Sequence, residues 1–183
     1  TVKIVFEYPE NADADAIINA LKIRTDKMGY ISVRFEKTEN NTITLNGEYD
    51  ILFNFDEYVN YLKAKAVLTF EDSEGKMILN NEDIVSANTE KRDDIGHCVC
   101  IELTSEGRKK FATATDNIFK KTEGENYISI KLDGEIISSP KVMAKIDSDT
   151  ILISGTFDAD TAKYFAGIIN AGIMPYELNL IST

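Results

Sequence analysis

The side chains best suited to chemistry lie close together near the middle of the chain, in Gly96-His97-Cys98-Val99-Cys100-Ile101-Glu102-Leu103-Thr104-Ser105-Glu106-Gly107. His97 is the only histidine. Paired with a cysteine it would make a nucleophile and its base. On a strand, however, successive side chains point to opposite faces. His97 and Cys98 therefore diverge, while Cys98 and Cys100 share a face. A disulfide across one intervening residue is strained, and Cys-x-Cys alone lacks the further ligands that zinc needs. The two cysteines read as reduced, small apolar strand residues. Thr104-Ser105-Glu106-Gly107 is half a nucleophile elbow, with Leu103 where the first glycine is required. Asp147-Ser148-Asp149 opens like a calcium loop, but the sixth position, which needs glycine, is Leu152. There is no Gly-x-Gly-x-x-Gly and no Walker loop to cradle phosphate. The residues point to no catalytic group, no metal and no cofactor.

Composition narrows the partners. The 183 residues carry 20 Lys and Arg against 31 Asp and Glu, a formal charge of −11. That balance argues against nucleic acid, whose affinity comes largely from cations neutralising phosphates. It also disfavours direct docking on anionic lipid. The longest apolar stretch, Phe165 to Met174, holds Asn170 and two glycines and is too short to span a bilayer. The chain opens directly into Val2-Lys3-Ile4-Val5-Phe6, a strand with no signal peptide before it, and so reads as an excised domain.

The positioning elements follow from residue type and period. Val2–Tyr8 predicts a strand. Asn11 or Asp13 caps a helix whose apolar stripe runs through Ile17, Leu21 and Met28, with Gly29 at its C-terminus. Strands are expected at Tyr30–Lys37, from Thr42, and at Ala66–Phe70. Between the last two lies a short helix capped by Asp56. This order is the opening of a ferredoxin-like α+β unit, nearly complete by residue 70. A second block has a strand at His97–Leu103, a helix through Phe111, Ala114, Ile118 and Phe119, and strands at Val142–Ile146 and Thr150–Ser154. Asp158 caps a last helix, and Tyr176–Ile181 predicts the final strand. For Asp13, Asp158 and Asp160 the expected role is helix capping.

Between the helix and those later strands lies Asn126 to Pro140. Asp133-Gly134, flanked by isoleucine-rich runs, is a strong hairpin signal, because a type I′ turn needs positive φ at both central residues. A two-residue turn sets Leu132 opposite Glu135 and Ile130 opposite Ile137. Ser138-Ser139-Pro140 ends the hairpin.

Four segments carry a family resemblance. Leu103-Thr104-Ser105-Glu106-Gly107, Leu132 through Pro140, Ile153-Ser154-Gly155-Thr156-Phe157 and Ala171-Gly172-Ile173-Met174-Pro175 resemble, in order and spacing, motifs of the first large extracytoplasmic domain of the SecD family of bacterial protein-export subunits. Arg24-Thr25-Asp26-Lys27-Met28-Gly29 adds a weaker match. The resemblance implies a ferredoxin-like base, 1–70 plus 156–183, split by an inserted α+β head, 78–155. It implies a non-enzymatic translocase module at the extracytoplasmic side of the cell membrane, reaching the membrane through segments absent from this chain. Its expected partners are an unfolded preprotein and, through the full-length protein, SecF and the SecYEG channel. Export driven by the proton gradient would use proton carriers in membrane helices outside this chain. Ile136, Ile137, Ser138 and Ser139 are the expected preprotein contacts. Phe70, Gly75, Gly155 and Asp158, at the expected crossings between lobes, are the expected hinges. The alternative is a hydrolase or small-ligand-binding domain sharing only the fold.

Overall fold

The computed structural model describes residues 1–27, 32–48, 54–155 and 157–183. In chain order the elements are β1 (Val2–Glu7), α1 (Ala14–Lys27), β2 (Arg34–Thr38), β3 (Thr42–Gly47), α2 (Phe55–Lys63), β4 (Leu68–Glu71) and β5 (Met77–Asn80). A 3-10 turn at Asn81–Asp83 leads to β6 (Ile84–Arg92), β7 (Gly96–Leu103), α3 (Ser105–Ile118), β8 (Ser129–Leu132) and β9 (Glu135–Ser138). The chain closes with β10 (Thr150–Ser154), α4 (Ala159–Ala171) and β11 (Asn179–Ser182). This is an α+β protein, and the strand pairings among the described residues are all antiparallel. Among the described residues no helix is long and apolar enough to cross a membrane. Contacts divide the chain into two units: Thr1–Lys65 with Ala171–Thr183, and Ala66–Asn170.

The first unit holds one sheet in the order β11-β1-β3-β2. Alternation along β1 and β3 buries Ile4, Phe6, Ile43 and Leu45. Ile17 and Leu21 of α1 and Tyr58, Tyr61 and Leu62 of α2 are buried as well. Asp13 caps α1, its Oδ1 accepting the Asp15 and Ala16 N–H groups. Expected features at Met28, Gly29, Tyr30 and Ile31 lie outside the described residues. The cap of α2 is Asn54 and not Asp56. Asn54 has the extended backbone a cap needs, and Asp56 instead gives it an N–H at 2.9 Å.

The second unit holds two sheets, β10-β7-β6 and β5-β4-β8-β9. Leu68, Phe70, Val99, Ile101, Phe111, Ile130 and Ile153 belong to one buried cluster, and Phe70 and Phe111 meet with ring centroids 6.4 Å apart. Three expectations change here. β4 pairs with β5 and β8, so the fourth strand of the first sheet is β11. Residues 142–146 are irregular: Val142 N–H donates to the Asn126 carbonyl and Ile146 N–H to the Thr115 hydroxyl, which satisfies them singly without a ladder. The helix α4, expected with the base, buries Ala162, Phe165, Ala166 and Ile169 in the second unit's core.

Candidate functional site

The segments that hinted at catalysis have structural work instead. The Thr104 side chain caps α3, accepting the Gly107 N–H at 2.9 Å. The Thr104 N–H donates to the Asp83 carbonyl at 2.9 Å. A Cβ at Gly107 would stand 2.7 Å from that same carbonyl oxygen, so the glycine of the motif lets the helix start press on the 3-10 turn. The Asp83 carboxylate, nearly buried, accepts from the Asn80 N–H and pairs with Lys110 at 2.9 Å. Asp147 and Asp149 grip Arg108 at 2.7 and 2.9 Å. The Arg108 hydrogen bond and charge hold the Asp147 carboxyl below its usual range, and both aspartates raise Arg108. Among the described residues no group of three or more His, Cys, Asp and Glu is placed to hold a metal ion. Cys98 is buried, its thiol donating to the Glu90 carbonyl. Burial, then the Glu90 charge, raises the Cys100 thiol, which keeps it protonated and a poor nucleophile. His97, half-buried, pairs across the ladder with Lys91.

The hairpin is the open surface. Asp133 has φ +50° and Gly134 φ +84°, the two left-handed residues a type I′ turn requires. Leu132 faces Glu135 as expected, but Ile130 pairs with Ser138 and not with Ile137. Lys131 still faces Ile136, and a bulge between Ile130 and Lys131 then shifts the register by one residue. Ile136 is 61% exposed on β9, an edge strand of its sheet. Ile137 packs on the core, and the Ser138 hydroxyl donates to the Ser154 carbonyl at 3.1 Å. Ile136 and Ser139 line a hollow of about 390 Å³ with Asn126, Tyr127 and Lys141. Among the described residues the buried Asn126 Oδ1 has no hydrogen-bond partner. The four expected contact residues are therefore adjacent, yet only Ile136 and Ser139 face open space.

The expected hinge residues all fall inside the second unit. Phe70 is buried mid-strand, Gly75 (φ +78°) forms the β4–β5 turn, and Gly155 lies in a bend after β10. Asp158 caps α4, accepting the Thr161 N–H at 2.7 Å, which lowers its pKa. Thr156 lies outside the described residues. The chain passes between units at Lys65–Ala66 and Asn170–Ala171.

Those passages are fastened by side chains whose role the sequence did not reveal. Ala66 is buried with φ +63°, a conformation costly for a residue with a Cβ. The Asp133 carboxylate accepts the Val67 N–H at 2.8 Å and the Ala66 N–H at 3.2 Å. The Asn81 amide donates to the Ala66 carbonyl at 2.8 Å and accepts the Leu68 N–H at 2.9 Å. At the other passage, the Asn170 amide meets both the N–H and the carbonyl of Ala87, at 2.8 and 2.6 Å. Within the first unit, fully buried Arg24 donates to the carbonyls of Tyr61, Leu62 and Gly172. The Met174 N–H reaches the Lys65 carbonyl at 2.9 Å.

Residues 58–176 match the family model "SecDF, P1 head subdomain". The chain is 26% identical over 179 residues to the protein translocase subunit SecD of Acidaminococcus fermentans, covering 96% of this chain and 41% of that protein. It is 30% identical over 167 residues to SecD of Dictyoglomus turgidum, covering 90% and 39%. The chain thus spans about two fifths of the length of these curated relatives. A solved structure of SecDF, a membrane component that enhances protein export, superposes with a TM-score of 0.77 at 19% identity, covering 100% of this chain and 99% of that one. At that identity the likeness shows the fold alone.

Proposed function

The chain belongs to the SecDF P1 head subdomain family, and from that premise we propose that it is the extracytoplasmic domain of a SecD-type translocase subunit that holds an emerging, unfolded preprotein. The observation that carries this reading is the family match over 58–176, which spans the whole second unit. The domain acts by binding and movement and not by catalysis. Its relatives are named as translocase subunits, and Thr104, Gly107 and Asp147 have structural partners.

The preprotein is held at the β9 edge, on Ile136 and Ser139. An open strand edge offers backbone hydrogen bonds to any sequence, and an exposed isoleucine beside a hollow offers unselective apolar contact. The first unit is the base and the second the head. The order β11-β1-β3-β2, with its last strand arriving after residues 66–170, supports a ferredoxin-like base split by that insertion. The head swings on the base about Lys65 and Ala171, which lie at the two passages between the anchored residues Leu62 and Ala66 and between Asn170 and Gly172. SecF and the SecYEG channel are engaged through the full-length protein, which supplies the proton-driven step.

The test places a photo-crosslinking residue at Ile136, and separately at Ser139, in the full-length protein while a preprotein is arrested during export. Adducts with the preprotein at both positions are expected. Their absence at both, with a working crosslinker elsewhere on the arrested chain, removes preprotein holding from the β9 edge.

A further inference from the structure

The sheet that carries β9 at one edge has β5 at the other, and β5 pairs only with β4 among the described strands. Alongside β5 runs a groove of about 660 Å³ whose opposite wall is α3. All four β5 residues line it, with Met77 55% exposed. From α3, Glu106, Lys109, Lys110, Thr113 and Asn117 face it at the three- and four-residue spacing of one helix face, and Lys121, just past the helix end, lines it too. An ion pair stands toward each end: Lys121 with Glu74 at 3.1 Å and Lys110 with Asp83 at 2.9 Å. Four strand residues span about 13 Å at roughly 3.3 Å each.

A strand edge beside a helix is the geometry in which an extended peptide adds to a sheet, bonding its backbone to the edge while its side chains meet the helix. The charges define the occupant. The lining holds four lysines and four carboxylates, whereas the chain as a whole has 20 cations and 31 anions. The groove is therefore a neutral strip on an acidic protein. It neither repels an acidic segment nor traps a basic one, and it lacks the cationic excess that a polyanion needs. Met77, unbranched and polarisable, adapts to varied apolar neighbours.

We propose that the β5–α3 groove is a second polypeptide-binding site, which takes an extended segment of about four residues of the exported chain as an added strand. This rests on the preprotein-holding function. It adds that one sheet is used at both edges, so a single unfolded chain is gripped at β9 and at β5.

The experiment uses the full-length protein with an arrested export substrate. Photo-crosslinking residues are placed at Asn117 in the groove, Ile136 on β9, and Lys163 on the exposed side of α4 as a control. Adducts with the substrate are expected at Asn117 and Ile136 and not at Lys163. Thr113→Trp, an exposed change that fills the groove, is expected to cut the Asn117 adduct at least fivefold and leave the Ile136 adduct within twofold. Substrate adducts at Ile136 without any at Asn117 overturn the groove and leave the function standing. Adducts at neither overturn both. An Asn117 adduct that Thr113→Trp does not reduce, or one formed only with a resident membrane protein, overturns the groove.

Discussion

At the residue scale, the family motif around Gly107 is a packing device. Replacing Gly107 with alanine forces a Cβ to within 2.7 Å of the Asp83 carbonyl and 3.0 Å of its Cβ, neither of which is a flexible chain end. A loss of about 1–3 kcal/mol in unfolding free energy is expected, measured by urea titration. The Arg108 clamp predicts a pH signature. The Asp147 carboxyl is held below its usual value by Arg108. Its contribution is therefore complete above the unfolded carboxyl pKa of about 4 and is lost as pH falls through the depressed folded value. Arg108→Gln is expected to lower the melting temperature at neutral pH, with the gap to wild type closing below about pH 4. A gap that stays constant into acid would remove the ion pair from the explanation. None of this was visible beforehand, because Arg108 and the two aspartates are about 40 residues apart in sequence.

At the element scale, strands and helices with a clean period were legible. β1, β7, α1, α3 and the Asp133-Gly134 turn fall where spacing and turn chemistry put them. What failed was partnership. The bulge beside Ile130 is one residue of register, and period two does not show which strand carries the extra residue. Likewise β4 reads as an ordinary strand, and only its ladder to β8 reveals which sheet it joins. Val142–Ile146 was expected as a strand for its β-forming residues, yet its N–H groups find scattered acceptors. Asp133 links turn and partnership, since it supplies the left-handed turn residue and also two hydrogen-bond acceptors to the entering chain. Asp133→Ala is expected to destabilise the second unit by about 2–4 kcal/mol, since two N–H groups lose their acceptor and alanine disfavours positive φ. Asp133→Asn, which keeps the turn preference and one acceptor oxygen, is expected to cost less than half as much. Equal losses would place the whole effect in the charge.

At the scale of the whole molecule, the two passages decide how the units communicate. Each is bound by side chains of its own unit: Asp133, Asn81 and Asn170 on one side, Arg24 on the other. Bending then concentrates at the few residues between these anchors. Arg24→Met is expected to destabilise the first unit by roughly 3 kcal/mol, because it leaves helix-end and post-helix carbonyls without their donor. Hydrogen exchange is expected to rise at α2 with little change at β7. An engineered disulfide locking the two units of the full-length protein is expected to lower proton-gradient-driven secretion severalfold, with reduction restoring it. Undiminished secretion in the locked, oxidised form would exclude head movement from the mechanism.

The grip on Asp133 also bears on how the protein ages. Aspartate followed by glycine is prone to cyclise: the Gly134 backbone nitrogen attacks the Asp133 side-chain carbon and a water is expelled to leave a succinimide, whose main-chain carbonyl a water then attacks, so that the ring reopens largely to isoaspartate, with one more carbon in the backbone. The N–H groups of Ala66 and Val67 engage both carboxylate oxygens and restrict the rotation that brings that carbon onto the nitrogen. The folded chain should thus resist isomerisation at this dipeptide, and a chain kept unfolded should accumulate it. Once formed, the lesion would lengthen the turn and pull the carboxylate off the entering strand, so a molecule that had lingered unfolded would carry a covalent record of the delay.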